Sequence, residues 1–293
     1  MREYIKFIAG VLIFGTTGIL SKHIDMPSAQ IVVWRTWIAA LALTAFLYSG
    51  GSRFDFMQMK RNWKPLIFSG LQLGFGWLFF HEAFKFAPVS IAMLINYLGP
   101  VMVILASPFV LKERFNKIKA IGVAVAMLGM YLVAGNLNGS VHVLGLLYAF
   151  LSAVSYAMLM LTNKKIQGVS GLELTIVQLA LSGLVMFLYG LVLQMPPVIP
   201  AGISLVAILV LSLNNTALAC FLFFSAMNKI PSQSSALLSY IDPLASLVLS
   251  ALILGERLSG MQWIGAILIF GGAILGQVFG ERRDALRSCN DRV

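Results

Sequence analysis

Asp242 stands directly before Pro243 in the apolar run ALLSYIDPLASLVLSALIL. A carboxylate in such a run costs about 2.5–3.5 kcal/mol on membrane-insertion scales and needs a compensating partner or a function. Two chemistries suit it: holding a substrate amine, or taking up and releasing a proton. The structural alternative is a helix-breaking acid paired with Arg35 or with a buried hydroxyl. Pro243 also has a double. Residues 84–115 align without a gap on 227–258, bringing Pro88, Tyr97, Pro100, Ser107, Glu113 and Arg114 onto Pro231, Tyr240, Pro243, Ser250, Glu256 and Arg257. A proline inside a helix removes one donor and displaces the carbonyl four residues earlier, here that of Asn96 or Ser239. In lipid a freed acceptor needs protein, water or substrate as its partner. Helix breaks are therefore expected at Pro100 and Pro243, with Asn96, Tyr97, Ser239, Tyr240 and Asp242 lining a substrate site. The competing reading is that the prolines only kink helices for packing.

Other polar residues in apolar segments extend this list. Gln72 falls on Asn215 at the same spacing of 143, with Asn214 beside it, and amides at that depth suit either a polar path or interhelical hydrogen bonds. Arg35, in IVVWRTWIAA, can hold a substrate carboxylate or Asp242, or reach the headgroups along its own stem. His81 and Glu82 form a pair that can titrate, with an interfacial polar pair the commoner explanation. Gln178 lies early in its segment, as Arg35 does. Gly70-x-x-x-Gly74, Gly272-x-x-x-Gly276 and Gly15-Thr-Thr-Gly18 suit close helix approach. Glu113–Arg114 and Glu256–Arg257 suit capping and loop anchoring at segment ends.

The elements that must position these groups are membrane helices. The 293 residues are 59% hydrophobic and 11% charged, against about 25% charged in an average soluble chain, and mean hydropathy is +0.89. Ten apolar spans are predicted near 5–21, 28–49, 65–86, 88–111, 118–135, 143–163, 172–194, 202–227, 231–254 and 260–280, each near the roughly 20 residues a spanning helix needs. No remaining stretch is large enough for a soluble domain. Of the 21 Lys and Arg, 17 fall in alternate segments, which places both termini in the cytoplasm under the positive-inside rule and argues against one nucleic-acid-binding face. The tail 281–293 is basic, and Cys220 and Cys289 lie too far apart in the predicted topology to form a bridge.

The spacing of 143 extends over 67–132 and 210–275, so residues 1–137 and 138–280 read as two five-helix repeats. Five spans is an odd number, so the second copy crosses the membrane in the opposite sense, as in inverted-repeat transporters. A channel would call for a filter-like loop, which no span carries. The chain also lacks a phosphate-binding loop, HExxH and CxxC, so neither direct ATP hydrolysis, a metal nor another cofactor is expected.

The paired segments PVMVILASPFVLKERF and PLASLVLSALILGERL, the Gly-rich spans IGVAVAMLGMYLVAG and IGAILIFGGAILG that follow them, and the intramembrane Arg35 resemble the drug/metabolite transporter superfamily, in its ten-helix EamA-type branch. The resemblance covers nearly the whole chain. It implies a carrier of small metabolites in the plasma or inner membrane, often an exporter of amino acids, with a central cavity between the halves. Relatives that expel toxic organic compounds make that an alternative cargo. A polytopic receptor or intramembrane enzyme is the rival class. The expected partners are a small-molecule substrate and the lipid bilayer, with no nucleic acid.

Overall fold

The protein is described by a computed structural model, and the described residues are all except 18, 19, 21, 22, 135–141, 197, 255–258 and 284–293. Every regular element among the described residues is helical, as expected where lipid offers the backbone no partners. Glu256 and Arg257, and the tail beyond residue 283, lie outside the described residues.

The chain begins with α1 (Arg2–Phe14) and α2 (Ser28–Ser49). A short α3 (Phe56–Arg61) follows, opened by Asp55, whose side chain accepts from the Gln58 N–H at 3.0 Å. Next come α4 (Trp63–Phe86), α5 (Val89–Asn96), α6 (Leu98–Val110) and α7 (Lys117–Ala134). Beyond them lie α8 (Val143–Asn163) and α9 (Gly171–Val192), the latter started by a reciprocal Ser170–Glu173 cap. The α10 helix (Gly202–Val210) runs through a π-helical segment, Leu211–Leu218, into α11 (Ala219–Met227). The chain then forms α12 (Ser232–Leu238), α13 (Ile241–Leu254) and α14 (Gly260–Ile274).

Seven helical stretches among the described residues are long and apolar enough to cross a bilayer: Ser28–Ser49, Ile91–Val110, Lys117–Ala134, Val143–Asn163, Gly171–Val192, Gly202–Met227 and Gly260–Arg283. The other three expected spans have visible reasons for falling short. Only 13 residues of the first are in α1; α4 is long but carries Lys64, His81, Glu82 and Lys85; the ninth is divided at Ser239–Tyr240 into α12 and α13. Large apolar side chains face outward along the bundle, Phe109 at 87% exposure and Leu252 at 76% among them. A bilayer, not water, is the solvent for such a surface.

Element ends repeat at the spacing seen in the sequence. Ser28–Ser49 and Gly171–Val192 begin and end 143 residues apart, and α5, α6 and α7 begin 143 residues before α12, α13 and α14. The packing of α7 on α14 has the same relation. A Cβ added at Gly122 would lie 2.6 Å from the Gly272 carbonyl oxygen, and one at Gly129 would lie 2.6 Å from that of Gly265. Adding 143 to Gly122 gives Gly265, and adding it to Gly129 gives Gly272, so each pair maps onto the other. Only glycine allows two backbones this close.

Candidate functional site

The two interruptions lie at Tyr97, between α5 and α6, and at Ser239–Tyr240, between α12 and α13. They precede the prolines. Pro100 and Pro243 sit in the first turns of α6 and α13, where a missing donor costs little because the first N–H groups of a helix lack an internal partner anyway. The Ser239 carbonyl, displaced from its usual role, accepts from the Asp242 N–H at 3.2 Å.

Tyr97 and Tyr240, 143 residues apart, meet with their rings tilted at 32° and centroids 5.9 Å apart. The Tyr240 hydroxyl donates to the Tyr97 carbonyl at 2.7 Å. A symmetric arrangement would send the Tyr97 hydroxyl to the Tyr240 carbonyl, but it donates instead to Asp242 Oδ2 at 3.1 Å. The acid, which replaces Gly99 of the first copy, thus captures one of two otherwise equivalent tyrosines. Asp242 is not ion-paired with Arg35.

Tyr156 of α8 closes the cluster. Its hydroxyl lies 2.7 Å from Ser239 Oγ, which also donates to the Ser235 carbonyl at 2.9 Å. Gly99 makes room for the ring, since a Cβ there would sit 2.7 Å from Tyr156 Cδ1. Asn96 is held from the same helix: the Ser152 hydroxyl reaches Asn96 Oδ1 at 2.8 Å and the Gly76 carbonyl at 2.9 Å. The structure therefore brings Asn96, Tyr97, Ser239, Tyr240 and Asp242 together around the two breaks. Tyr156 and Ser152 were missed by sequence reasoning because neither has a polar counterpart 143 residues earlier, where Ile13 and Ala9 stand.

The remaining candidates are placed elsewhere. Asn215 is buried and its amide donates to the Ile13 carbonyl (2.8 Å) and to the hydroxyls of Thr16 (2.6 Å) and Thr17 (3.2 Å), tying the π segment to α1. Gln72 is half-buried on α4 and forms no hydrogen bond with Asn215. His81 Nδ1 lies 2.7 Å from the Trp77 carbonyl one turn back. Glu82 accepts from Lys85 at 2.6 Å and from the Tyr189 hydroxyl, an interfacial arrangement at the end of α4. Arg35 donates from Nε to Thr216 Oγ1 at 2.9 Å and lies over the Trp77 ring at 5.0 Å. Gln178 is buried against Ser69 and Asn163, at 2.9 and 2.6 Å.

One end of the bundle is tied shut around α12. Glu113 accepts from the Ser232 N–H at 3.0 Å and from its hydroxyl, capping that helix. Gln233 donates to the Arg114 carbonyl at 2.9 Å and accepts from the Asn116 N–H at 3.1 Å. The half-buried Lys164 ammonium meets the Ile230 carbonyl. Burial pushes that ammonium down to about 8, while Glu113 opposes the shift.

An all-helical, multi-pass membrane protein with a tyrosine–carboxylate cluster at two aligned helix interruptions narrows the class to membrane proteins that handle small solutes inside a bundle. The chain belongs to the EamA-like transporter family, which matches residues 1–135 and 143–276. It is 27% identical over 283 residues to the uncharacterized transporter YxxF of Bacillus subtilis, covering 92% of this chain and 88% of that one. It is 28% identical to a probable amino-acid metabolite efflux pump of Salmonella typhimurium, over 73% and 76% of the two chains. It is 26% identical to the aromatic amino acid exporter YddG of Ancylobacter novellus, over 76% and 79%. A solved crystal structure superposes with a TM-score of 0.86 at 20% identity, covering 96% of this chain and 99% of that one, which shows the shared fold.

Proposed function

We propose that this protein is a secondary carrier that exports small metabolites, amino acids foremost, across the plasma or inner membrane by alternating access. Its two halves, residues 1–137 and 138–280, are inverted five-helix repeats, so α1, α4 and the α12–α13 pair complete a set of ten spans with both termini cytoplasmic. The matched element spacing and the interchanging glycine pairs support that arrangement.

One observation carries the reading: Asp242, held by Tyr97, sits at the interruption where the two halves meet. A carboxylate there, with one oxygen hydrogen-bonded and no cation paired to it among the described residues, can receive a substrate amine or a coupling proton. Asn96, Tyr97, Ser239 and Tyr240 supply the surrounding polar groups. The names of the relatives support amino acids as cargo.

Counterflow in liposomes tests this. Purified protein loaded with an unlabelled amino acid should accumulate the labelled one with saturation. The absence of saturable exchange across amino acids and toxic organic cations alike would overturn the carrier reading, and a metabolite profile of cells with and without the protein would then redirect the search.

A further inference from the structure

Arg35 is the eighth residue of α2, about 10 Å along the helix axis from its start. Its guanidinium lies within the bundle, where an unpaired charge is costly. The surrounding protein gives it orientation but no counter-charge. Thr216 Oγ1 accepts from Nε, and Trp77 offers its ring face on one side. His81 and Cys220 are close enough to interact with it electrostatically, and neither is a carboxylate. Among the described residues no Asp or Glu forms an ion pair with Arg35, and Asp242 is engaged with Tyr97.

The orientation is built by an irregular stretch of backbone. Leu211–Leu218 is π-helical, and the Thr216 hydroxyl donates to the Leu211 carbonyl five residues back at 3.0 Å. That bond fixes the hydroxyl's proton, so its lone pair is directed at Nε. Asn215, the adjoining residue, locks the same widened turn to α1. A π-helical turn inside a spanning helix sacrifices regular geometry and is found frequently at functional positions. With Nε occupied and one face covered by indole, the guanidinium retains its two terminal nitrogens as a fork, the geometry that pairs with a carboxylate through two parallel hydrogen bonds.

We infer that Arg35, aimed by Thr216 and backed by Trp77, binds the carboxylate of the cargo. The missing counter-charge arrives with the substrate, so the carrier selects molecules bearing a free carboxylate over their amides, esters and decarboxylated amines. This rests on the carrier reading above and adds the anionic end to it.

The test is competition in liposome counterflow, run with L-phenylalanine and with L-threonine against the corresponding amides and decarboxylated amines. Wild-type protein should prefer each acid over its amide by about tenfold or more, equivalent to roughly 1.4 kcal/mol. Arg35→Gln should bring acid and amide to similar affinity, and Arg35→Lys should recover part of the preference through a point charge without the fork. Thr216→Val keeps the charge and loosens its aim, so it should reduce the preference severalfold in a protein that a thermal melt shows to be folded. A wild-type preference that persists in Arg35→Gln overturns the inference. If that variant fails to fold, an unaltered preference in Thr216→Val overturns it instead. Exchange with no preference for acids in the wild type also overturns it while leaving the carrier reading intact, whereas absence of any exchange counts against the carrier reading itself.

Discussion

The interruptions at Tyr97 and at Ser239–Tyr240 start from matching sequence and end in different surroundings. Every side chain from Ser232 to Leu238 in α12 is buried, whereas in α5 Val89 and Met93 are exposed and only Ala92 is fully buried among the described side chains. The α12 helix is sealed at its start by Glu113 and along its side by Gln233. The position in α5 that matches Ser232 is Val89, which has no hydroxyl, and the one that matches Gln233 is Ser90, which has no amide. One backbone plan, duplicated, thus carries a fully buried, polar-fastened α12 in one half and a partly exposed α5 in the other. The second difference is an exchange of bulk. Gly99 of the first copy faces Tyr156 of the second, whereas the matching positions hold Asp242 in the second copy and Ile13 in the first. The acid and the extra tyrosine break the symmetry together.

Experiments can exploit this comparison. The largest effect is expected for Asp242→Asn, which should lower transport by about tenfold or more, roughly 1.4 kcal/mol of lost substrate or proton interaction, while expression is retained. Unchanged counterflow at every pH would return Asp242 to a structural role. Gly99→Ala should destabilise by about 1–3 kcal/mol through overpacking against Tyr156, and Tyr156→Ala should relieve much of that in the double variant. A thermal melt in detergent reads both, and additive losses would show that the two sites do not share the space.

A finer contrast separates the paired tyrosines. Tyr97→Phe removes a hydrogen bond to a carboxylate, about 1.5–3 kcal/mol, whereas Tyr240→Phe removes one to a carbonyl, about 0.5–1.5 kcal/mol. Transport should fall for the first and change little for the second, and equal losses would mean that Asp242 is not what distinguishes them. The smallest effect concerns the sealed end. Lys164 has a folded value near 8 against 10.5 unfolded, so the unfolded chain binds more protons between those values. Stability should rise with pH through that window, with the gain complete above it and absent below about 8. Lys164→Met should flatten the rise in a melting-temperature profile.

Much of this was legible in the residues. Apolar composition set the solvent, because helices hydrophobic on all sides cannot be hidden in water, and the repeat at 143 marked Tyr97 with Tyr240 and Pro100 with Pro243 as equivalent. Asp242 against Gly99 was visible as a mismatch. Gly272 and Gly276 were readable as small residues for a close crossing, although their partner Gly122 was not. Glu113 was readable as a cap, but nothing local names Ser232 as what it caps.

The sequence by itself determined the class, the spacing of the interruptions and the odd acid, since these depend on local hydropathy, proline stereochemistry and internal comparison. Tertiary structure alone decided which tyrosine Asp242 captures, that Tyr156 fills the space left by Gly99, that Asn215 clamps α1, and that Arg35 is aimed by a π-helical turn. Those outcomes depend on distances between helices far apart in the chain. A hydrogen bond is set within a few tenths of an ångström by packing that no periodicity encodes.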